Sequence, residues 1–196
     1  IITKKTKALI LVHMNGFSCD ISEIKKICKR KKIQIIEDCA HGLGTMYNKK
    51  HVGTLGDVGV FSFYPVKHIT TAEGGMIITN NKSIAKKLRL LRAFGVNKTF
   101  SERKKGIYNS DYLGLNYRMS EIHASLGCVQ MKKLNKFLHQ RKKNFSFLEK
   151  KIKKNKNIKI LMSQKDSLLS SNYCLTVILE NKLSKKRDEI MKKINL

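Results

Sequence analysis

The stretch "ALILVHMNGFSCDISEIKKICKRKKIQIIED", residues 8–38, contains the pattern of a strand, a helix and a second strand. Ala8 to Val12 and the later run "IQIIED" are short apolar segments of the kind that form buried strands. Between them, Asp20 and Glu23 have the spacing of a capping box at the start of a helix. The apolar face of that helix would consist of Ile21, Ile24 and Ile27. Such a unit predicts a parallel sheet covered by helices.

The rest of the chain continues this alternation. "VGVFSF" and "GMIITN" have the composition of strands, and "KSIAKKLRLLRAFG" that of a helix ended by Gly95. Ser120 can cap a long helix whose apolar positions recur at helical spacing. Those positions are Ile122, Leu126, Val129, Leu134 and Leu138. Further on, "NIKILM" and "SNYCLTVILE" predict strands of a smaller unit, and "SKKRDEIMKKINL" predicts a helix.

Composition sets the class of protein. The chain has 196 residues, and its hydrophobic fraction of 41% is that of a globular protein. A net charge of +27 suggests an anionic partner such as nucleic acid, a phosphate-rich ligand or a membrane surface. Nearly all of that charge is lysine, however, and arginine is the better residue for bidentate recognition of phosphates and bases. We therefore interpret the charge as a solvated lysine surface.

The cysteines and the apolar runs bear on location. The five cysteines form no CxxC pair, which favours free thiols in a reducing compartment over disulfides or a zinc site. No apolar run approaches the roughly 20 residues that cross a bilayer, and no signal peptide opens the chain. We expect a cytoplasmic location, no metal site, and neither a membrane nor a nucleic acid as partner.

Two side chains that follow predicted strands are candidates for chemistry. Asp38 ends "IQIIED", and ligands of open α/β sheets bind beyond the carboxyl ends of the strands. From this motif alone, a helix cap or a turn is the favoured explanation of this aspartate. Lys67 follows "VGVFSF" and the single proline, Pro65. Partial desolvation would make its neutral amine available, although in so lysine-rich a chain it can also be a surface lysine.

Three blocks in order carry a resemblance to a known family. They are "IIEDCAHGLG", "GTLGDVGVFSFYPVKHITTAEGGMIITN" and "LGLNYRMSEIHASLG". Together they resemble the signature blocks of the DegT/DnrJ-type sugar aminotransferases, over residues 7 to 150 and more weakly beyond. The resemblance implies fold type I of the pyridoxal-phosphate enzymes, a three-layer α/β/α large domain followed by a small α+β domain. Residues 1–140 would be part of the large domain, and 141–196 the end of the connecting helix and the start of the small domain.

The resemblance also implies roles for five residues. Lys67 would bond to the aldehyde of pyridoxal 5'-phosphate and, once freed by the amino donor, would move a proton between the substrate carbon and the cofactor. Asp38 would pair with the protonated pyridine nitrogen. Ser62 would hydrogen-bond the cofactor phosphate, and His41 would lie near the phenolic oxygen. Asn116 would reach the cofactor phosphate of a neighbouring subunit, which implies a homodimer with shared active sites.

The implied activity is transfer of an amino group, from glutamate, to a nucleotide-activated keto-deoxysugar. A 4-keto-6-deoxyhexose is favoured because "SFYPVKHITTAEGGM" is most similar to perosamine-synthase-type enzymes. The product would enter lipopolysaccharide, capsule or other surface-polysaccharide synthesis. Because family members have about twice this length, we expect a segment truncated at both ends that is inactive alone. The alternatives are a dehydratase or a regulator of the same family and, outside it, a basic nucleic-acid-binding protein.

Overall fold

The protein is built around a four-stranded sheet of order β1-β2-β5-β6, described from a computed structural model that covers residues 1–96, 110–161 and 168–194. β1 (Ala8–Val12), β2 (Gln34–Asp38) and β5 (Val58–Ser62) are parallel, whereas β6 (Gly75–Ile78) pairs antiparallel with β5. The predicted strand–helix–strand unit is therefore present, and the sheet is extended on one side by a hairpin-like strand rather than by another crossover. Its parallel strands bring their carboxyl ends to one edge.

Four α-helices lie among the described residues. Their bounds are α1 Ile21–Lys31, α2 Lys82–Leu91, α3 Glu121–Ile152 and α4 Arg187–Ile194. α2 is capped by Asn81, whose side chain accepts hydrogen bonds from the Ser83 and Ile84 N–H groups. α3 is capped by Ser120, as predicted, and the Ser120 hydroxyl accepts from the His123 N–H at 3.3 Å. α2 ends at Leu91, earlier than predicted, and Gly95 with φ +70° closes the turn that follows.

The predicted capping box at α1 is wrong, although the helix itself is present. The Asp20 side chain makes no cap hydrogen bond and instead accepts from the Tyr47 hydroxyl at 2.7 Å. Glu23 pairs with Lys26 on the surface. The buried face also differs by one position, since Ile21 and Cys28 are 2% exposed whereas Ile27 is 41% exposed. Residues spaced by three drift around a helix of 3.6 residues per turn, so Ile27 turns away from the sheet. Cys28 faces the sheet in its place.

Among the described residues, a hydrophobic core lies between α1 and the sheet, and the segments that follow β2, His51 and β5 complete it. Its buried members are Leu11, Ile21, Cys28, Ile33, Ile35, Cys39, Val52, Leu55, Phe61, Phe63 and Ile69. β2 contributes alternate residues to this core, as expected for a strand with one face turned inward. β1 was predicted as a buried strand, but only Leu11 is buried and Ile10 is 65% exposed. β1 is the edge strand of the described sheet, which explains its exposure.

The long helix α3 packs on the rest of the described chain mainly from residue 134 onward. Leu134, Phe137 and Leu138 are partly buried there and Phe145 is buried against Phe17, with ring centroids 6.0 Å apart. The apolar positions of the first half are exposed: Ile122, Leu126 and Val129. The helical period was thus predicted correctly, but only part of the apolar stripe meets a partner within residues 1–96, 110–161 and 168–194.

The later part of the chain forms two small sheets. β7 (Ile158–Ile160) pairs with β9 (Val177–Leu179), and β8 (Leu168–Leu169) joins β3 (Met46–Tyr47), which also pairs with β4 (Lys50–His51). The predicted strand "SNYCLTVILE" is shorter than expected, since its first six residues have no ladder pairing and Asn172 among them adopts φ +52°. Met162 of "NIKILM" and the last two residues of the predicted terminal helix lie outside the described residues.

The segment Ser170–Tyr173 is fixed to the loops at the edge of the large sheet. The Ser170 hydroxyl and the Ser171 N–H both bond to the Gly16 carbonyl, at 2.8 and 3.1 Å. The Ser171 hydroxyl donates to the His41 carbonyl at 3.0 Å. Since Ser170 and Ser171 are buried, these bonds satisfy polar groups that water cannot reach.

Hydropathy along the helices gives a negative result. Within the described part of the chain, no helix combines the length and the apolar character required to cross a membrane.

Candidate active site

The candidate site lies at the carboxyl edge of β2 and β5, where two neighbouring strands end together. Asp38 is paired in register with Val60, so both strands deliver their last residues to the same edge. The chain turns sharply after Asp38, and one carboxylate oxygen accepts from the Ala40 N–H at 2.9 Å. Asp38 is therefore a turn aspartate, and its second oxygen has no hydrogen-bond partner among the residues described. That oxygen is available to a ligand.

Lys67 is positioned by the loop that follows β5. Its N–H bonds to the Tyr64 carbonyl at 3.0 Å, which closes a turn through Pro65. The side chain is half-buried rather than fully exposed, in contrast to most lysines of this chain. The Nζ lies 5.2 Å from the centroid of the Tyr173 ring. The lysine side chain is thus partly buried beside an aromatic ring.

His41 connects Lys67 and Asp38 electrostatically. Burial lowers the pKa of His41, and the positive charge of Lys67 lowers it further. Asp38 acts in the opposite direction and raises that pKa. Lys67 and His41 also contact the same ring, that of Tyr173, and Asp38 ends the strand that leads into His41. The structure therefore brings Asp38, His41 and Lys67 together.

The other two predicted residues are placed differently. Ser62 is the last residue of β5, at the same edge, and its hydroxyl accepts from the Tyr64 N–H at a long 3.4 Å. Asn116 is exposed, accepts from Arg118 Nε at 3.0 Å, and has no described contact with the other four residues. This chain alone does not bring Asn116 into the cluster.

His68, next to Lys67, is buried with only 4% of its surface exposed. Burial, followed by the positive charges of Arg141, His41 and Lys67, lowers the pKa of His68 to about 4. Neither ring nitrogen has a hydrogen-bond partner of acceptable geometry in the described ranges, although the Ser171 backbone lies close enough to oppose the shift slightly. His68 is thus a neutral imidazole at neutral pH.

Glu37, directly before Asp38, was not predicted as a functional residue, and it is fully buried. One carboxylate oxygen accepts from His13 Nε2 at 2.9 Å and from the Gly53 N–H at 2.8 Å. The other accepts from the Leu55 and Gly56 N–H groups at 2.7 and 2.6 Å. Glu37 follows Ile33 and Ile35 at intervals of two residues, so all three side chains lie on the same, inward face of the strand. This spacing is the sequence signal that could have identified Glu37 as buried.

The charge of Glu37 is stabilised by these donors. Burial alone would raise its pKa, but the hydrogen bonds from His13 and the three backbone N–H groups together lower it below the usual range. His13 Nδ1 accepts a hydrogen bond from the Cys19 N–H at 3.3 Å, so the ring proton is on Nε2, which donates the hydrogen bond to Glu37. Although Cys39 lies beside this pair, both oxygens of Glu37 already have two donors. The cluster is a hydrogen-bonded buried anion.

Two further residues line the site and had no signal in the sequence. Tyr173 stacks on His41 with ring centroids 4.1 Å apart and an interplanar angle of 13°. Arg141, on α3, donates to the Tyr173 carbonyl at 3.1 Å. Both come from distant parts of the chain, so their approach depends on tertiary structure.

The residues present fit pyridoxal phosphate by the chemistry of their groups. A half-buried amine, a carboxylate with one unengaged oxygen, an imidazole and a serine hydroxyl gather at one strand edge. An amine and a carboxylate at the same strand edge match the aldehyde and the pyridinium of this cofactor.

Comparison with known proteins finds sugar aminotransferases among the relatives of this chain. One relative is the UDP-4-amino-4,6-dideoxy-N-acetyl-beta-L-altrosamine transaminase of Campylobacter jejuni, which is 36% identical over 192 residues. The match covers 95% of this chain and 48% of that protein. GDP-perosamine synthase of Caulobacter vibrioides is 35% identical over 198 residues, covering 100% and 51%. Both relatives are nucleotide-sugar enzymes, and the chain spans about half the length of each.

A solved structure gives the same answer for the fold. Helicobacter pylori PseC, an aminotransferase involved in the biosynthesis of pseudoaminic acid, matches with a TM-score of 0.90 and 30% identity, over 100% of this chain and 51% of that one. The fold is accordingly that of the fold-type I pyridoxal-phosphate sugar aminotransferases. The family model of the DegT/DnrJ/EryC1/StrS aminotransferases matches residues 1–196, and the chain belongs to this family.

Proposed function

We propose that the whole protein is a pyridoxal-phosphate-dependent aminotransferase that moves an amino group from glutamate to a nucleotide-activated 4-keto-6-deoxyhexose. The observation that carries the proposal is that Lys67 and His41 contact the same Tyr173 ring, beside the strand edge where Asp38 ends β2. The names of both curated relatives support a nucleotide-linked aminodeoxysugar as the product class. The product would enter surface-polysaccharide synthesis in the cytoplasm.

Each residue would have a defined task. When bound, pyridoxal phosphate supplies an aldehyde for amines and a ring that accepts electrons from the substrate carbon. Lys67 would hold the cofactor covalently and, when free, carry the proton to and from that carbon. Asp38 would keep the ring nitrogen protonated through its unengaged oxygen. Ser62 would bind the phosphate, and His41 would lie near the phenolic oxygen.

We also propose that the whole protein is a homodimer. Asn116 is exposed and apart from the other candidate residues, as expected for a side chain that serves the site of a neighbouring subunit. The nearby Leu113 is 95% exposed and Ile122 is 80% exposed. Apolar side chains exposed to this degree favour burial against another surface. The division into part of a large domain, residues 1–140, and the end of the connecting helix with the start of a small domain, residues 141–196, is part of the same proposal.

The test uses the full-length protein incubated with pyridoxal phosphate and reduced with borohydride. We expect a covalent label on Lys67, its loss in Lys67→Ala, and its retention in the matched control Lys49→Ala, an exposed lysine on a turn. Amino transfer from glutamate should then be measured with a panel of nucleotide-linked keto-sugars.

The outcomes separate the alternatives. A label on Lys67 accompanied by water loss from the sugar, without amine gain, would indicate a dehydratase. A label without any turnover would indicate a regulator. No label, together with salt-dependent DNA binding, would favour the basic nucleic-acid-binding protein.

A further inference from the structure

Tyr173 is the residue around which the candidate site is packed, and its contacts go beyond those of an ordinary core aromatic. Its ring lies parallel to the His41 imidazole at 4.1 Å between centroids. The Lys67 Nζ lies 5.2 Å from the ring centroid, within the range of a cation–π contact. His68 packs against the same ring in a tilted orientation at 5.3 Å. Three side chains from two different loops therefore share one aromatic surface.

The position of Tyr173 is fixed independently of these contacts. Its carbonyl accepts from Arg141 Nη1 at 3.1 Å, and the guanidinium carbon lies 5.8 Å from the ring centroid. Two residues earlier, Ser171 is bonded to the Gly16 and His41 carbonyls. Helix α3 and the edge loops of the sheet thus hold the segment from both sides. Because these hydrogen bonds hold the backbone of the segment in place, the Tyr173 ring can act as a rigid surface for its neighbours.

We propose that Tyr173 is a positioning residue for Lys67 and His41, holding the two side chains against one aromatic ring and excluding water from that side of the pocket. The inference rests on the proposed function in one respect, since the amine that Tyr173 positions is the one that would bond to the cofactor. The ring, rather than the hydroxyl, performs this role, because the contacts to His41 and Lys67 are made with the ring face. Phenylalanine should therefore replace tyrosine, and an aliphatic residue should not.

The experiment compares Tyr173→Phe with Tyr173→Leu in the full-length protein labelled with ¹³C-histidine. In the wild type and in Tyr173→Phe, we expect an upfield ring-current shift of the His41 ring protons, and in Tyr173→Leu we expect its loss. Because the stacking and cation–π contacts are lost together, release of pyridoxal phosphate should become roughly tenfold faster in Tyr173→Leu only. Release is followed by the decline of borohydride-trapped label after dilution.

Each result decides the matter. A folded Tyr173→Leu protein with an unchanged His41 signal and unchanged cofactor release would overturn the proposal. If Tyr173→Leu does not fold, the wild type decides, because close contact of the two rings requires a nuclear Overhauser effect between Tyr173 and His41, and its absence would also overturn the proposal.

Failure of the proposed function remains distinguishable. A wild-type protein that takes no label on Lys67 would refute the aminotransferase assignment. The His41 shift would still report whether Tyr173 holds the imidazole, because that signal does not depend on the cofactor.

Discussion

Glu37 and Asp38 are adjacent acids with opposite environments. Glu37 points into the core, where four donors surround its carboxylate. Asp38 lies at the strand end with one oxygen unengaged in the part of the chain that is described. Alternation along β2 causes the difference, since successive side chains of a strand lie on opposite faces. The first acid therefore stabilises the fold, and the second is available for chemistry.

Glu37→Gln should destabilise the full-length protein by about 3 kcal/mol, because an amide cannot accept from all four donors and leaves buried N–H groups unpaired. Urea unfolding measures the change. Glu23→Gln, on the exposed face of α1, is the matched control and should change stability by less than about 0.5 kcal/mol. Equal effects of the two substitutions would show that the buried anion is not important for stability.

The stability difference between wild type and Glu37→Gln should depend on pH. The folded pKa of Glu37 lies below that of the unfolded chain, so its contribution is complete above the unfolded value, near pH 4.3, and is lost as pH falls through the folded value. Unfolding free energies of both proteins, measured from neutral pH to pH 3, should therefore converge in acid. A difference that stays constant over this range would contradict the assignment.

The pKa of His41 reports the charges at the site. Lys67→Met removes a positive neighbour and should raise this pKa, whereas Asp38→Asn removes a negative neighbour and should lower it. Titration of the ¹³C-labelled imidazole in the cofactor-free, full-length protein measures both shifts. Lys49→Met, on an exposed turn, is the control that should leave His41 unchanged. Shifts of the same sign in the two test variants would mean that His41 does not lie between the two charges.

At the scale of elements, the sequence predicted the strands and helices better than their environments. Apolar runs and periodicity located β1, β2, β5, β6, α1 and α3, because these signals are local. Asp20 lies at the N-cap of α1, as predicted, but the local pattern could not show that its side chain bonds to the Tyr47 hydroxyl of a different element. Likewise, Tyr173 and Arg141 reach the site only through tertiary contacts, and no spacing in the sequence relates them to Lys67.

The first turn of α2 offers a test of local capping. Asn81→Ala removes the acceptor for the Ser83 and Ile84 N–H groups and should cost about 1 kcal/mol of stability. The neighbouring exposed residue supplies the control, Asn80→Ala, which should be nearly neutral. Thermal or urea unfolding of the full-length variants measures both. If the two alanine variants unfold alike, the cap does not stabilise the helix.

For the molecule as a whole, the connection between segment 170–173 and the sheet-edge loops determines whether the site is complete. Gly16 is central to this connection, because its carbonyl accepts hydrogen bonds from Thr45, Ser170 and Ser171. Gly16 also adopts φ +84°, a conformation that suits glycine. On the sheet side, this contact includes residues from the blocks that carry the family resemblance. No pattern in the sequence indicated that segment 170–173 would meet them.

We expect Gly16→Ala to weaken the contact between segment 170–173 and the sheet-edge loops. A Cβ at this position would collide with the Ser171 hydroxyl and would strain a left-handed backbone, at a cost of about 2 kcal/mol. We expect faster hydrogen exchange at the Ser171 N–H in the full-length variant. Ser18→Ala, which removes only a local bond to the Cys19 carbonyl, is the control. Unchanged protection of Ser171 in Gly16→Ala would show that the segment is held without this contact.

The order of the two acids on β2 also restricts where the chain can gain or lose residues. Sliding β2 by one position would put Asp38, a shorter side chain, among the donors that now surround Glu37, and would put the Cys39 thiol at the strand edge. One deletion would thus remove both the core anion and the cofactor-facing carboxylate. Length changes should instead be accepted at the tip of the β3–β4 hairpin, where Asn48 and Lys49 are exposed and make the turn alone.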